Sequence, residues 1–119
     1  MGVTEEDVFA FGLSLPRATE GTVRGRRKLY VGRIVFAAMD HEGILGVGFP
    51  REWRQAAVDS DPDKFQMPTG ADLRYQWIYV RMDTIDVPEM QELVLDAWAM
   101  CVPKKVMREY AAAMGMAPE

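Results

Sequence analysis

The run RRKLYVGRIVFAAMDHEGILGVGF, residues 26–49, has a hydrophobic period of two and is interrupted by short glycine-bearing turns. Successive side chains on a strand point to opposite faces, so β-branched and aromatic residues at that period mark half-buried strands. RKLYVG and RIVFAAM meet at Gly32-Arg33, a hairpin signal. DHEG at 40–43 then turns the chain into ILGVGF, a third strand. Turns this short force antiparallel pairing, because a parallel crossover needs a dozen residues or more. The stretch therefore predicts an antiparallel meander. Gly46 and Gly48 inside the third strand point to a bulge or a close backbone approach.

The flanks read as helices. Thr4, followed by Glu5, Glu6 and Asp7, is an N-cap with an acidic first turn. That helix runs to about Leu13, Pro16 ends it, and LPRATEG reads as a loop. PREWRQAAVDS is a second helix with proline at its first position. DSDPDKFQMPTGADLR is a loop, and YQWIYVRM returns to strand composition. Asp86 with Glu89 opens a third helix that places Val87, Met90, Val94, Ala97, Trp98 and Cys101 on one face. Pro103 breaks it and starts a last helix, carrying Val106, Met107, Tyr110 and Met114 inward. The sum is an α+β domain spanning residues 1–119, an antiparallel sheet with helices packed on one face.

Charge bounds the partners. The net charge of -4 opposes indiscriminate attraction to nucleic acid or anionic lipid, so any such role rests on a local patch. Five of the 14 basic residues, Arg24, Arg26, Arg27, Lys28 and Arg33, fall within residues 22–35. Two readings are open: a phosphate-binding surface, or charges that keep an exposed sheet edge from pairing with another chain. Alternation puts Arg24, Arg26 and Lys28 on one face, with Leu29 and Val31 on the other. A second cluster, Lys104, Lys105 and Arg108, follows Val102-Pro103. With Pro103 as first helical residue, Val102 is a cap that cannot accept a hydrogen bond. The amides beyond it and the two ammonium groups then form an anion clasp, unless water satisfies the amides and both lysines point outward.

In QWIYVRM, Trp77, Tyr79 and Arg81 share a face; Trp77 is expected in the core and Arg81 at the surface. Exposed, the same aromatics would be a stacking platform for bases. His41 is the single histidine and sits in a turn, which excludes histidine clusters and a Ser-His pair. Cys101, the single cysteine, excludes an intrachain disulfide and reads as an inert core thiol. Asp59, Asp61 and Asp63 have calcium-loop spacing, but Lys64 stands where that loop needs glycine and Gly70 where it needs glutamate. MGVTEEDVFAF lacks the pattern of a signal peptide, and no apolar run approaches the ~20 residues of a membrane span. The expectation is a cytoplasmic monomer with no membrane association, metal or cofactor.

LPRATEG, RKLYVGRIVFAAM, REWRQ, YQWIYVRMD and AWAMCVPKKV, in this order and spacing, resemble the MmcQ/YjbR family. The likeness runs from Val8 to Met114; Gln76 stands before Trp77 where relatives usually carry glycine. The resemblance implies a CyaY-like (frataxin-like) α+β fold and a DNA-binding role. Together with the basic clusters, it leads to a non-enzymatic module that contacts phosphate backbone non-specifically. The hairpin patch and the helix-end clasp supply the contacts. The alternative is a module for another protein or a small anionic ligand, with no nucleic-acid role.

Overall fold

The capping signal at Thr4 is realised. Its hydroxyl accepts from the Asp7 amide at 3.1 Å, and the Asp7 carboxylate accepts from the Thr4 amide at 3.0 Å. Helix α1, Glu5–Leu13, follows, burying Val8, Phe9 and Gly12. The structure, a computed structural model, describes residues 2–115.

Beyond α1 the chain departs from the expected loop. Ala18–Val23 is a strand, β1, paired antiparallel along its whole length with β2, Arg26–Val31. No β1 residue is buried, so it has no apolar alternation to betray it; its backbone pairs with β2 along its whole length. Arg24 and Gly25 form the two-residue turn, both left-handed at φ 54° and 79°. That is the backbone of a type I′ turn, whose twist matches the flanking strands.

The predicted meander then follows as β2, β3 (Ile34–His41) and β4 (Ile44–Gly48). Helix α2 covers Arg51–Ser60, β5 is Phe65–Gln66, and a short 3₁₀ helix spans Gly70–Arg74. Strand β6, Trp77–Arg81, leads through a second 3₁₀ turn to α3, Val87–Ala99, and α4, Lys104–Ala113. The strand order is β1-β2-β3-β4-β6-β5, antiparallel throughout. Strand β2 is therefore internal. Since β1 occupies the edge beside it, the charges on β2 protect no free edge, which overturns that reading of the hairpin.

The register sorts residues between two faces. Leu29, Ala37, Val47 and Ile78 stand opposite one another and are fully buried. They face the helical layer, where α3 packs on β3, β4 and α1 through Met90, Val94, Ala97 and Trp98. The neighbouring row, Lys28, Ala38, Gly46 and Tyr79, points to the opposite side. A bulge in β3 leaves Phe36 unopposed between the Leu29–Ala37 and Tyr30–Val35 pairs, so consecutive Phe36 and Ala37 are both buried.

Helix α4 docks on α3, with Tyr110 5.2 Å from the Trp98 ring, while the Trp98 indole N–H donates to the Pro16 carbonyl at 2.9 Å. Pro103 is the N-cap rather than the first helical residue, and Val102 is buried. Val87 and Met114, expected inside, are exposed. Val87 opens α3 one turn ahead of its first buried residue, Met90, and Met114 lies past the last turn of α4. Among the described residues no helix is long and apolar enough to cross a membrane.

Candidate functional site

A broad cleft of about 1020 Å³ lies over the Lys28, Ala38, Gly46 and Tyr79 side of the sheet and reaches Ala97, Met100 and Cys101 at the C-terminal end of α3. Its floor is shallow in side chains because Ala38 and the glycine at 46 lie between Lys28 and Tyr79 in the cross-strand row. Arg24, Arg26, Lys28 and Arg33 all line it. None of the four makes an ion pair among the described residues. Arg24 sits in the turn before β2, Arg26 at its start and Arg33 just past its end. At about 3.3 Å per residue β2 itself is roughly 17 Å long, and Arg24 and Arg33 lie beyond its two ends. Asp40 and Asp72 also border the cleft, but Asp40 contacts His41 and Asp72 accepts from the Tyr79 hydroxyl at 2.9 Å. Burial, and then that hydrogen bond, push the Tyr79 phenol above its usual range.

The far wall is aromatic. Tyr75 is 58% exposed and Trp77 half-buried, both lining the cleft. Trp77, expected in the core, lies instead on the open face across Gly46. A Cβ added to Gly46 would stand 2.5 Å from the indole nitrogen. That is the close approach the glycines of β4 anticipate, and it positions the ring. Arg81 is exposed, as its place in the strand predicts.

This wall is held from behind by a residue the sequence reading passed over. Arg54 is the one buried residue of α2. Its guanidinium donates to the carbonyls of Leu73 (3.0 Å), Tyr75 (3.1 Å) and Trp77 (3.3 Å). Arg54 stands at i, i+3 and i+4 spacing with Ala57 and Val58, which pack against the core, and that spacing was the available signal that it faces inward.

Arg27 leaves the expected patch. It is one residue out of phase with Arg26 and Lys28, so it points to the helix side. There it bonds Glu20 at 2.6 Å on β1 and Glu6 at 2.6 Å on α1, with its guanidinium 4.2 Å from the Phe9 ring centroid. The Arg27 hydrogen bond holds the Glu20 carboxyl below its usual range, and Glu20 in turn raises the Arg27 pKa. Arg27 is a strut between β1, β2 and α1.

The YjbR family model matches residues 13–100. The chain belongs to the YjbR family. A crystal structure of the Deinococcus radiodurans protein DR2400, with the domain DUF419, has a similar fold at TM-score 0.70 and 15% identity, covering 96% of this chain and 89% of that one. No curated protein matches the chain.

The basic hairpin and the aromatic wall fall inside the YjbR span, whereas Lys104, Lys105 and Arg108 fall outside it. These three are exposed and make no ion pair among the described residues, but they do not line the cleft. Their helix packs on Trp98, and none of the three joins the four cations that line the cleft. Pro103 caps α4 without a side-chain hydrogen bond. Cys101 lies at the end of the cleft beyond α3, half-buried, and burial pushes its thiol pKa up. Among the described residues no group of three or more His, Cys, Asp or Glu is placed to hold a metal ion.

Proposed function

We propose that this protein is a non-enzymatic module that binds nucleic acid non-specifically through the phosphate backbone, with the open-face cleft as its interface. One observation carries the reading: four cations without ion-pair partners among the described residues share one cleft, in a chain of net charge -4. Three of the four are arginines, whose planar forks match phosphate oxygens two at a time. Their spread, at least the roughly 17 Å length of β2, suits a polymer better than a compact anion. Around them the chemistry of catalysis is thin. The two bordering carboxylates already have neighbours, and the raised thiol pKa of Cys101 leaves little thiolate at neutral pH.

Four phosphate contacts give a slope of log affinity against log salt of about -3 to -4. Between 50 and 200 mM salt that is a loss of roughly 50- to 150-fold. Fluorescence anisotropy with a labelled oligonucleotide measures it. Alanine at Arg26 and Arg33 together should bring the slope to about half. A flat salt response, or an unchanged slope in the double variant, removes the cleft as a phosphate-binding surface.

A further inference from the structure

We infer that the strand in this cleft is single, with its bases unstacked against the aromatic wall, an inference that rests on the phosphate-binding reading above. The cations are interleaved with apolar surface. Of nine exposed large hydrophobic side chains among the described residues, Val23, Ile34, Tyr75 and Met100 all line this cleft. Duplex DNA presents its charged backbone outward and keeps base faces stacked inside, so it gives such side chains nothing to cover. A single strand offers both chemistries: phosphates for the cations, and π-faces for aromatic and apolar side chains.

The wall is built to receive a ring. Arg54 fixes three alternate carbonyls from Leu73 to Trp77, and the Tyr79–Asp72 bond ties the 3₁₀ segment to β6. The Trp77 indole is seated on the Gly46 backbone. Such a surface loses little freedom when a base stacks on it. An acidic peptide with apolar side chains has the same charge and greasiness, but the cleft suits it less. An extended peptide gains main-chain hydrogen bonds by adding to a sheet edge. Strands β2, β3 and β4 have neighbours on both sides, and the free edges that reach the cleft are short: Val23 at the end of β1, and the Trp77 end of β6, which β5 pairs only at Tyr79 and Val80.

The experiment compares four probes by anisotropy: a single-stranded oligonucleotide of about 12 residues, within the usual 4–16-nucleotide site sizes; its blunt duplex; an abasic strand of equal length; and a poly-glutamate peptide carrying interspersed leucines. Each is titrated against the parent protein, Tyr75→Ala and Tyr75→Phe. The single strand should bind at least about tenfold tighter than the duplex. Tyr75→Ala should weaken it by about fivefold to a hundredfold, the span of one lost stacking contact, while Tyr75→Phe stays near the parent. The abasic strand should bind weakly and be indifferent to Tyr75→Ala. Tyr75 is a surface residue, and a melting curve of each variant checks that the fold is intact.

Equal or tighter duplex binding, or an abasic strand that binds as well as the normal one, overturns base stacking. Salt-dependent binding in those cases leaves the phosphate reading standing. Binding of the peptide but of no nucleic acid overturns both.

Discussion

Replacing Arg54 with methionine removes the sole buried residue of α2 while keeping a flexible apolar stem in its place. Three hydrogen bonds from a charged donor are lost, worth about 1.5–3 kcal/mol each. Against this stands relief of a guanidinium that is 6% exposed, has no carboxylate partner and leaves its Nε without a hydrogen bond. That relief returns several kcal/mol. The Leu73 and Tyr75 carbonyls belong to exposed residues and regain water, whereas Trp77 begins an internal strand. The net loss is then about 2–4 kcal/mol. With an unfolding entropy of about 2.1 cal/mol/K per residue, a 119-residue chain loses about 4 °C per kcal/mol, so Tm should fall by about 8–16 °C. Arg54→Lys should recover less than half of it, since one ammonium does not reach three carbonyls spread over five residues. Oligonucleotide affinity should fall as the wall loosens, yet the salt slope should hold, because no cleft cation is touched. Thermal denaturation followed by circular dichroism, with anisotropy alongside, reads all of this. A methionine variant melting within about 2 °C of the parent, or a lysine variant equal to it, refutes the anchoring argument.

Three further outcomes are expected. Arg27→Met should cost about 1 kcal/mol of stability and leave oligonucleotide binding unchanged, whereas Arg26→Ala should do the reverse. The Glu20 carboxyl ionises more readily folded than at its ordinary value of 4.5, so its pairing with Arg27 stabilises above that pH and is lost as pH falls through the folded pKa. Arg27→Met should blunt that acid limb in a pH series of melting curves. Arg24→Asn should raise Tm by about 2–4 °C, because Asn-Gly suits the left-handed turn, while cutting the salt slope by about 0.7–0.9. Cys101 should react with iodoacetamide more slowly in the native protein than in urea, and its native rate should reach half-maximum above pH 9.0, the ordinary thiol value from which burial raises it.

Strands β2, β3, β4 and β6 were legible because each is a short run rich in β-branched, aromatic and other apolar residues between glycine-bearing or polar turns. Strand β1 was not, since it buries nothing and its Gly21 and polar residues mimic a loop. Strand β5, at two residues, carries no period at all. The same limit applies to the site. Alternation correctly groups Arg24, Arg26 and Lys28, but counting charges alone added Arg27. The carboxylates that claim Arg27 lie 7 and 21 residues away in the chain, and no local spacing announces them. Trp77 was misplaced for a related reason: an indole belongs to a core by area, and only the pairing of β4 with β6 reveals that a glycine opens a seat on the other face.

Arg26 and Arg27 turn adjacency into a check on alignment. If β2 slid by one position against its neighbours, the arginine now clamped by two glutamates would swing out onto the open face. Its neighbour, which has no counterion among the described residues, would be driven in beside Phe9. The misaligned form would thus strand Glu6 and Glu20 and bring an arginine without their hydrogen-bond geometry into contact with apolar surface. Two successive codons thereby penalise the commonest error a hairpin can make, and the correctly zipped strand is the one that shows its free charge to solvent.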